Sequence, residues 1–98
     1  MIIVNTTFYV ENRVEQQFLK WLSEGFVPCC SLSDVTVARI LTAVEAGMAA
    51  YAVRMKAVDA KLATDWTDEK APLLLQSLAE CFGQSVLHFT TLMESVEI

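Results

Sequence analysis

His88 is the only histidine of the chain, and an imidazole suits general acid–base work near neutral pH. No carboxylate stands at a spacing that predicts a His–carboxylate pair, so its commoner role is structural. Cys29, Cys30 and Cys81 are nucleophile candidates to set beside it. Cys29 and Cys30 follow Pro28 near a helix end, with no local positive charge to lower a thiol pKa. Cys81 falls in an apolar helical stretch, where cysteine behaves as a small hydrophobe. No C-x-x-C or H-x₃-H spacing exists, so no metal is expected, and the scattered glycines exclude a phosphate-cradling loop. Trp21 and Trp66 read as aromatic core before they read as a cofactor pocket. Asp65, Asp68 and Glu69 read as a solvated helix face. Catalytic residues stay unknown, and no cofactor is implied.

Those residues must be positioned by one folding unit. Ninety-eight residues suit a single domain spanning 1–98. Apolar residues make up 54% and charged residues 19%, which argues against disorder and leaves more apolar surface than a monomer covers with ease. The net charge of −5 is spread evenly along the chain. Without a basic patch there is no footprint for nucleic acid, and an anionic membrane surface would repel the chain. An odd cysteine count favours a reducing, cytoplasmic setting. The start, Met1-Ile2-Ile3-Val4-Asn5, has no positive segment or cleavage site of a signal peptide, and no uncharged run is long enough for a transmembrane helix. Asn5-Thr6-Thr7 matches a glycosylation sequon, which has no consequence in the cytoplasm.

Periodicity gives the elements. Residues 2–10 are dense in β-branched and aromatic types, a strand whose core face is Ile2, Val4, Thr6, Phe8 and Val10. Asn12 with Glu15 forms a capping-box pattern. Val14, Phe18, Trp21, Leu22 and Phe26 then follow at helical spacing, with an end between Gly25 and Pro28. After a polar loop at 31–34, Val35 to Val44 reads as a strand of ambiguous phase. Glu45-Ala46-Gly47 turns it into a third strand, Met48 to Val58. Asp59 caps a second helical region, broken near Pro72 and closed by Gly83, whose stripe is Leu74, Leu75, Leu78 and Phe82. Ser85 to Glu94 is a fourth strand. The order β-α-β-β-α-β predicts an α+β, ferredoxin-like fold: a four-stranded antiparallel sheet with two helices on one face.

Two helices cover only one side of such a sheet. The other side is expected to hold Ile3, Asn5, Thr7 and Tyr9, then Ala50, Ala52, Arg54 and Lys56, then Val86, His88, Thr90 and Leu92. Small residues there make a flat floor that suits sheet-on-sheet packing at about 10 Å, so a homodimer through the open face is expected. Asn5, Thr7, Arg54 and His88 are the candidate ligand-binding residues of that space. The alternative is that they only hydrogen-bond one another across a dimer.

Three segments carry a resemblance: Ile3-Val4-Asn5-Thr6-Thr7-Phe8, Arg39-Ile40-Leu41-Thr42, and Cys81-Phe82-Gly83 running into Phe89-Thr90-Thr91-Leu92-Met93-Glu94. Over nearly its whole length the chain resembles a family of small bacterial proteins of about a hundred residues, a domain of unknown function. The resemblance implies the ferredoxin-like fold and no activity. More loosely, the architecture is similar to the dimeric α/β-barrel superfamily, which includes cofactor-free monooxygenases, chlorite-dismutase-like haem proteins and stress-response proteins. Two functions follow as expectations. One is a homodimeric binding or interaction module with a possible small-molecule ligand. The other is a cofactor-free monooxygenase or isomerase using Asn5, Arg54 and His88.

Overall fold

A computed structural model describes residues 1–98. Four strands form one antiparallel sheet: β1 (Ile2–Glu11), β2 (Ser33–Ile40), β3 (Met48–Ala57) and β4 (Val86–Glu94), in the order β2-β3-β1-β4. The first crossover carries helix α1 (Glu15–Trp21), which continues through a π turn at Leu22–Phe26 and a 3₁₀ turn at Val27–Cys29. The second carries α2 (Ala60–Asp65), a π turn at Trp66–Lys70 and α3 (Ala71–Phe82). The ferredoxin-like α+β reading of the sequence therefore stands. No helix is long and apolar enough to cross a membrane.

Alternation on β1 fixes the core. Val4, Phe8 and Val10 are fully buried, and Met55, Val53 and Tyr51 lie beside them on β3. Phe18, Leu22 and Phe26 from the first helical arm close over them, with Ala63, Trp66, Ala71 and Leu78 from the second. Phe8 is the hub, its ring 5.2 Å from Phe18, 5.4 Å from Phe26 and 6.0 Å from Trp21, in tilted and edge-on geometries that aromatic rings favour. The two π turns sit at matching points of the two arms. Each adds one residue to a helical turn and so re-aims the apolar stripe without breaking the helix.

Several local expectations change. The Asn12 capping box does not form; the chain enters through a 3₁₀ turn, and the Asn12 amide donates to the Gly47 carbonyl at 3.0 Å. Asp59 does cap, its carboxylate accepting from the Leu62 amide at 2.9 Å. Pro72 sits in the first turn of α3, directly after the π turn at Trp66–Lys70, so the arm continues past it rather than starting afresh. Gly83 closes that helix at φ 57°. Strand β2 starts and stops earlier than expected, at Ser33 and Ile40 rather than Val35 and Val44. A register shift lies between Ser33 and Thr36, where Asp34 adopts φ 53°. Residues 41–47 are therefore a longer loop, with Ala43 at φ 58° and Gly47 at φ 83°.

The largest correction concerns β4. Thr7 pairs with Phe89, Tyr9 with Leu87, and Phe8 with His88. Val86, His88, Thr90 and Leu92 thus share the helix side, and Leu87, Phe89, Thr91 and Met93 share the open side, the reverse of the expected phase. Both phases of this strand carry apolar residues, so alternation alone leaves the choice undetermined. Pairing with β1 decides it: Val86 is buried beside Val10, and the Thr6 and Thr90 hydroxyls meet at 3.0 Å.

Candidate functional site

The open face is built by every second residue of each strand. Its middle row is Thr7, Ala52 and Ala38, all small, with Phe89 at the β4 edge. Rows of larger apolar side chains flank it: Tyr9 and Leu87 toward one end, Ile3 and Met93 toward the other. Tyr9 and Phe89 stack with ring centres 6.0 Å apart, leaving Phe89 half exposed at 48% and Leu87 at 56%. Loop residues Ala43 and Glu45 join Tyr9, Met48 and Leu87 around a pocket of about 330 Å³.

Three of the four sequence-predicted site residues meet on this face. Asn5 and Arg54 are cross-strand partners. The Arg54 Nε–H donates to the Asn5 side-chain oxygen at 3.3 Å, and the Asn5 amide donates to the Thr7 hydroxyl at 3.1 Å. The result is a short polar row, guanidinium to amide to hydroxyl, beside the small-residue floor. It offers hydrogen bonds and one positive charge to a ligand, and no group that would take a proton near neutral pH. Arg54 makes no ion pair within the chain.

His88 is not part of that row. It points to the helix side, 6.4 Å from the Phe8 ring, and lines a separate pocket of about 210 Å³ with Leu78, Ala79, Gly83, Val86 and Leu87. The cysteines are likewise dispersed. Cys81 is exposed on the outer side of α3, where an apolar role had been expected. It borders a shallow groove with Trp21 and Phe82. Cys30 is half buried, and its thiol donates to the Phe26 carbonyl at 3.4 Å. Burial first, and the neighbouring Cys29 second, push the Cys30 thiol up to about 11. Trp66 lies in the core with its indole N–H unpaired, and Trp21 donates to the Ser77 hydroxyl at 3.4 Å.

One charged cluster escaped the sequence reading. On the helix side, the Arg39 guanidinium donates to Glu15 at 2.6 Å, and the Tyr51 hydroxyl donates to the same carboxylate oxygen. Arg39 also lies 5.6 Å from the centre of the Tyr51 ring, a cation–π contact. Burial, then the Glu15 hydrogen bond and charge, raise the Tyr51 phenol above its ordinary value, while Arg39 draws it back. Arg39 and Tyr51 share the core side of paired strands and need a counter-charge, but in the sequence the phase of the strand carrying Arg39 is ambiguous. Glu15 had been assigned to a cap instead. Through Glu15 the cluster ties α1 to the β2–β3 hairpin.

Comparison with known proteins agrees with the fold. The family model described as "Domain of unknown function (DUF4286)" matches residues 1–96, and the chain belongs to that family. No curated protein matches the chain. Among solved structures, the chain is similar to an ethyl tert-butyl ether d (EthD) family protein from Bacillus halodurans. That match has a TM-score of 0.65 and 15% identity, over 98% of this chain and 100% of that one. It is similar to the de novo designed protein Foldit4, with a TM-score of 0.63 and 11% identity over 97% and 98% of the two chains. A third likeness is to a Bacillus cereus protein classed provisionally as an antibiotic biosynthesis monooxygenase, with a TM-score of 0.56 and 16% identity over 99% and 96%. At these identities the likeness is one of fold. That a designed protein shares it underlines how little the fold says about activity.

Proposed function

With the family leaving activity open, we propose that the chain is a homodimeric binding module whose two copies pair through their open sheet faces. One observation carries this reading: a half-exposed apolar surface, Leu87, Phe89 and Met93 beside Ile3 and Tyr9, frames a floor of small residues on the side the helices leave bare. Four strands at about 4.8 Å spacing and about 30 Å long give a face of about 600 Å², so a pair would bury about 1,200 Å², the lower bound of specific interfaces. The accessible surface of 6145 Å² also exceeds the about 5,600 Å² expected of a compact monomer of this mass. In such a pair the row of Arg54, Asn5 and Thr7 would lie between the sheets, ready to hold a small polar ligand. A reducing, cytoplasmic setting goes with this reading, since all three cysteines are free thiols.

Analytical ultracentrifugation tests it. The expected result is a dimer at micromolar concentration, converted to a folded monomer by Phe89→Asp. A clean monomer of the natural chain at that concentration would overturn the reading.

A second reading, a cofactor-free oxygenase or isomerase, draws on the EthD and monooxygenase neighbours and on the pocket beside His88. Turnover of a quinol-type substrate that is lost in His88→Ala would support it. Unchanged turnover in that variant would dismiss His88 as the base.

A further inference from the structure

The open face is electrically lopsided along its strands. Arg54 and Lys56 stand at the end marked by Asn5 and Ile3. Glu11, opposite Met48, and the pocket residue Glu45 stand at the other end. The two ends are six residues apart on β1, about 20 Å at strand rise. Lys56 already faces Asp34 at 3.8 Å and Glu11 already holds Arg13 at 3.0 Å, so the unpaired charges of the two ends are Arg54 and Glu45.

Two copies can stack face to face with aligned strands about either of two axes in the plane between the sheets. An axis along the strands lays each cationic end on the partner's cationic end. An axis across the strands lays each strand antiparallel on its own copy and each cationic end on the partner's acidic end. Like charges repel and opposite charges attract most strongly in a partly desolvated gap, so the pattern selects the second arrangement. Its axis passes through the row Thr7, Ala52 and Ala38, where side chains are smallest and two sheets approach most closely.

Resting on the homodimer reading, we infer that the copies pair about this transverse axis and that the partner's Arg54 closes the pocket at Glu45, once in each subunit. Each pocket is then completed by two chains: Tyr9, Met48, Leu87 and Glu45 from one, the guanidinium from the other. The acidic wall and the incoming cation neutralise each other, leaving a mainly apolar compartment.

Charge reversal tests the geometry separately from dimerisation. Arg54 and Glu45 are exposed, so Arg54→Glu, Glu45→Arg and the double variant leave the fold intact, as circular dichroism would verify. Each single reversal turns two attractive pairs into two repulsive ones and is expected to weaken the dimer about tenfold at low salt, less as salt rises. The double variant restores the dimer to within about threefold of the natural chain. Arg54→Asp with Glu45→Lys repeats the cycle should either first variant misfold. Singles that dimerise as the natural chain does, or a double no tighter than the singles, would overturn the transverse axis while leaving the dimer standing. A natural chain that is monomeric before any substitution would remove the homodimer reading and this inference together.

Discussion

The two sides of one sheet treat the same residue types very differently. Phe8 on β1 is fully buried among Phe18, Trp21 and Phe26, while Phe89, on the adjacent strand and the opposite side, is half exposed. Thr6 and Thr7 are sequence neighbours and both buried, yet Thr6 spends its hydroxyl on Thr90 and Thr7 accepts from Asn5. What separates the sides is cover. Two helical arms bring about a dozen large apolar groups onto one side, whereas only the loop at Ala43 and Glu45 borders the other. A side chain's contribution to folding is therefore set by the layer above it, and its contribution to assembly by the absence of one.

The widest contrast in stability should lie between those two phenylalanines. Phe8→Ala removes the centre of an aromatic cluster and leaves a cavity that the rigid sheet cannot close. A loss of about 3–5 kcal/mol is expected. Phe89→Ala, measured by urea unfolding at a concentration too low for pairing, should cost less than about 1 kcal/mol, because the ring keeps much of its surface in water in the monomer. Equal losses at the two positions would break the distinction between the sides.

A smaller effect is expected where the helix side carries charge. Glu15→Gln removes the anion that holds both Tyr51 and Arg39, and the Tyr51 hydroxyl then has a weaker acceptor. A loss of about 1–2 kcal/mol follows if the buried phenol is left poorly paired. The phenol's titration should also move. In the natural chain Tyr51 keeps its proton beyond the ordinary value of 10.0, because burial and Glu15 oppose the phenolate. The unfolded chain loses that proton first, so the contribution to stability is present below pH 10 and fades above it. In Glu15→Gln the phenol should titrate earlier than in the natural chain, though still late because burial remains. Ultraviolet difference spectra of the phenolate follow it directly, and an unmoved titration would show that Glu15 does not govern the group.

Most of the architecture was legible in the sequence because period and punctuation agreed. Alternation on β1 and β3, helical spacing from Phe18 to Phe26, Asp59 and Gly83 each had one physical solution. β4 did not. Val86 and Leu92 make one phase apolar, and Leu87, Phe89 and Met93 make the other so; a strand at the sheet edge, covered by α3 only at Val86, has no single buried face to enforce a choice. The error propagated to the site, since His88 travelled with its phase. Asn5, Thr7 and Arg54 were placed together because their strands were strictly patterned. The Glu15, Arg39 and Tyr51 cluster was hidden for a different reason: it joins three segments through side-chain reach, which spacing along a single element does not encode. The end of β2 was obscured by apolar loop residues Leu41 and Val44, which continue a strand-like pattern past the last paired residue.

Cover by a second layer should also rank the three thiols, the smallest of the expected effects. Cys30 tucks beneath the end of the first helical arm, whereas Cys29 and Cys81 face outward. With the Cys30 thiol at about 11 against an ordinary 9.0, its thiolate fraction at pH 8 is about a hundredfold below that of a free cysteine. A thiolate of higher pKa is also the better nucleophile, which offsets about half of that on a logarithmic scale. Iodoacetamide, with peptide mapping by mass spectrometry, should therefore modify Cys30 about tenfold more slowly than a free cysteine and more slowly than the exposed Cys29 and Cys81. Since alkylation follows the thiolate, the Cys30 rate should climb about tenfold per pH unit up to its own titration. Unfolding in guanidinium should erase the difference, because the shift arises from burial and from Cys29 held beside it in the fold. A Cys30 that reacts as fast as Cys81 in the native protein would mean that the 3₁₀ turn at Val27–Cys29 opens readily, and that the cover over this corner of the core is looser than over Phe8.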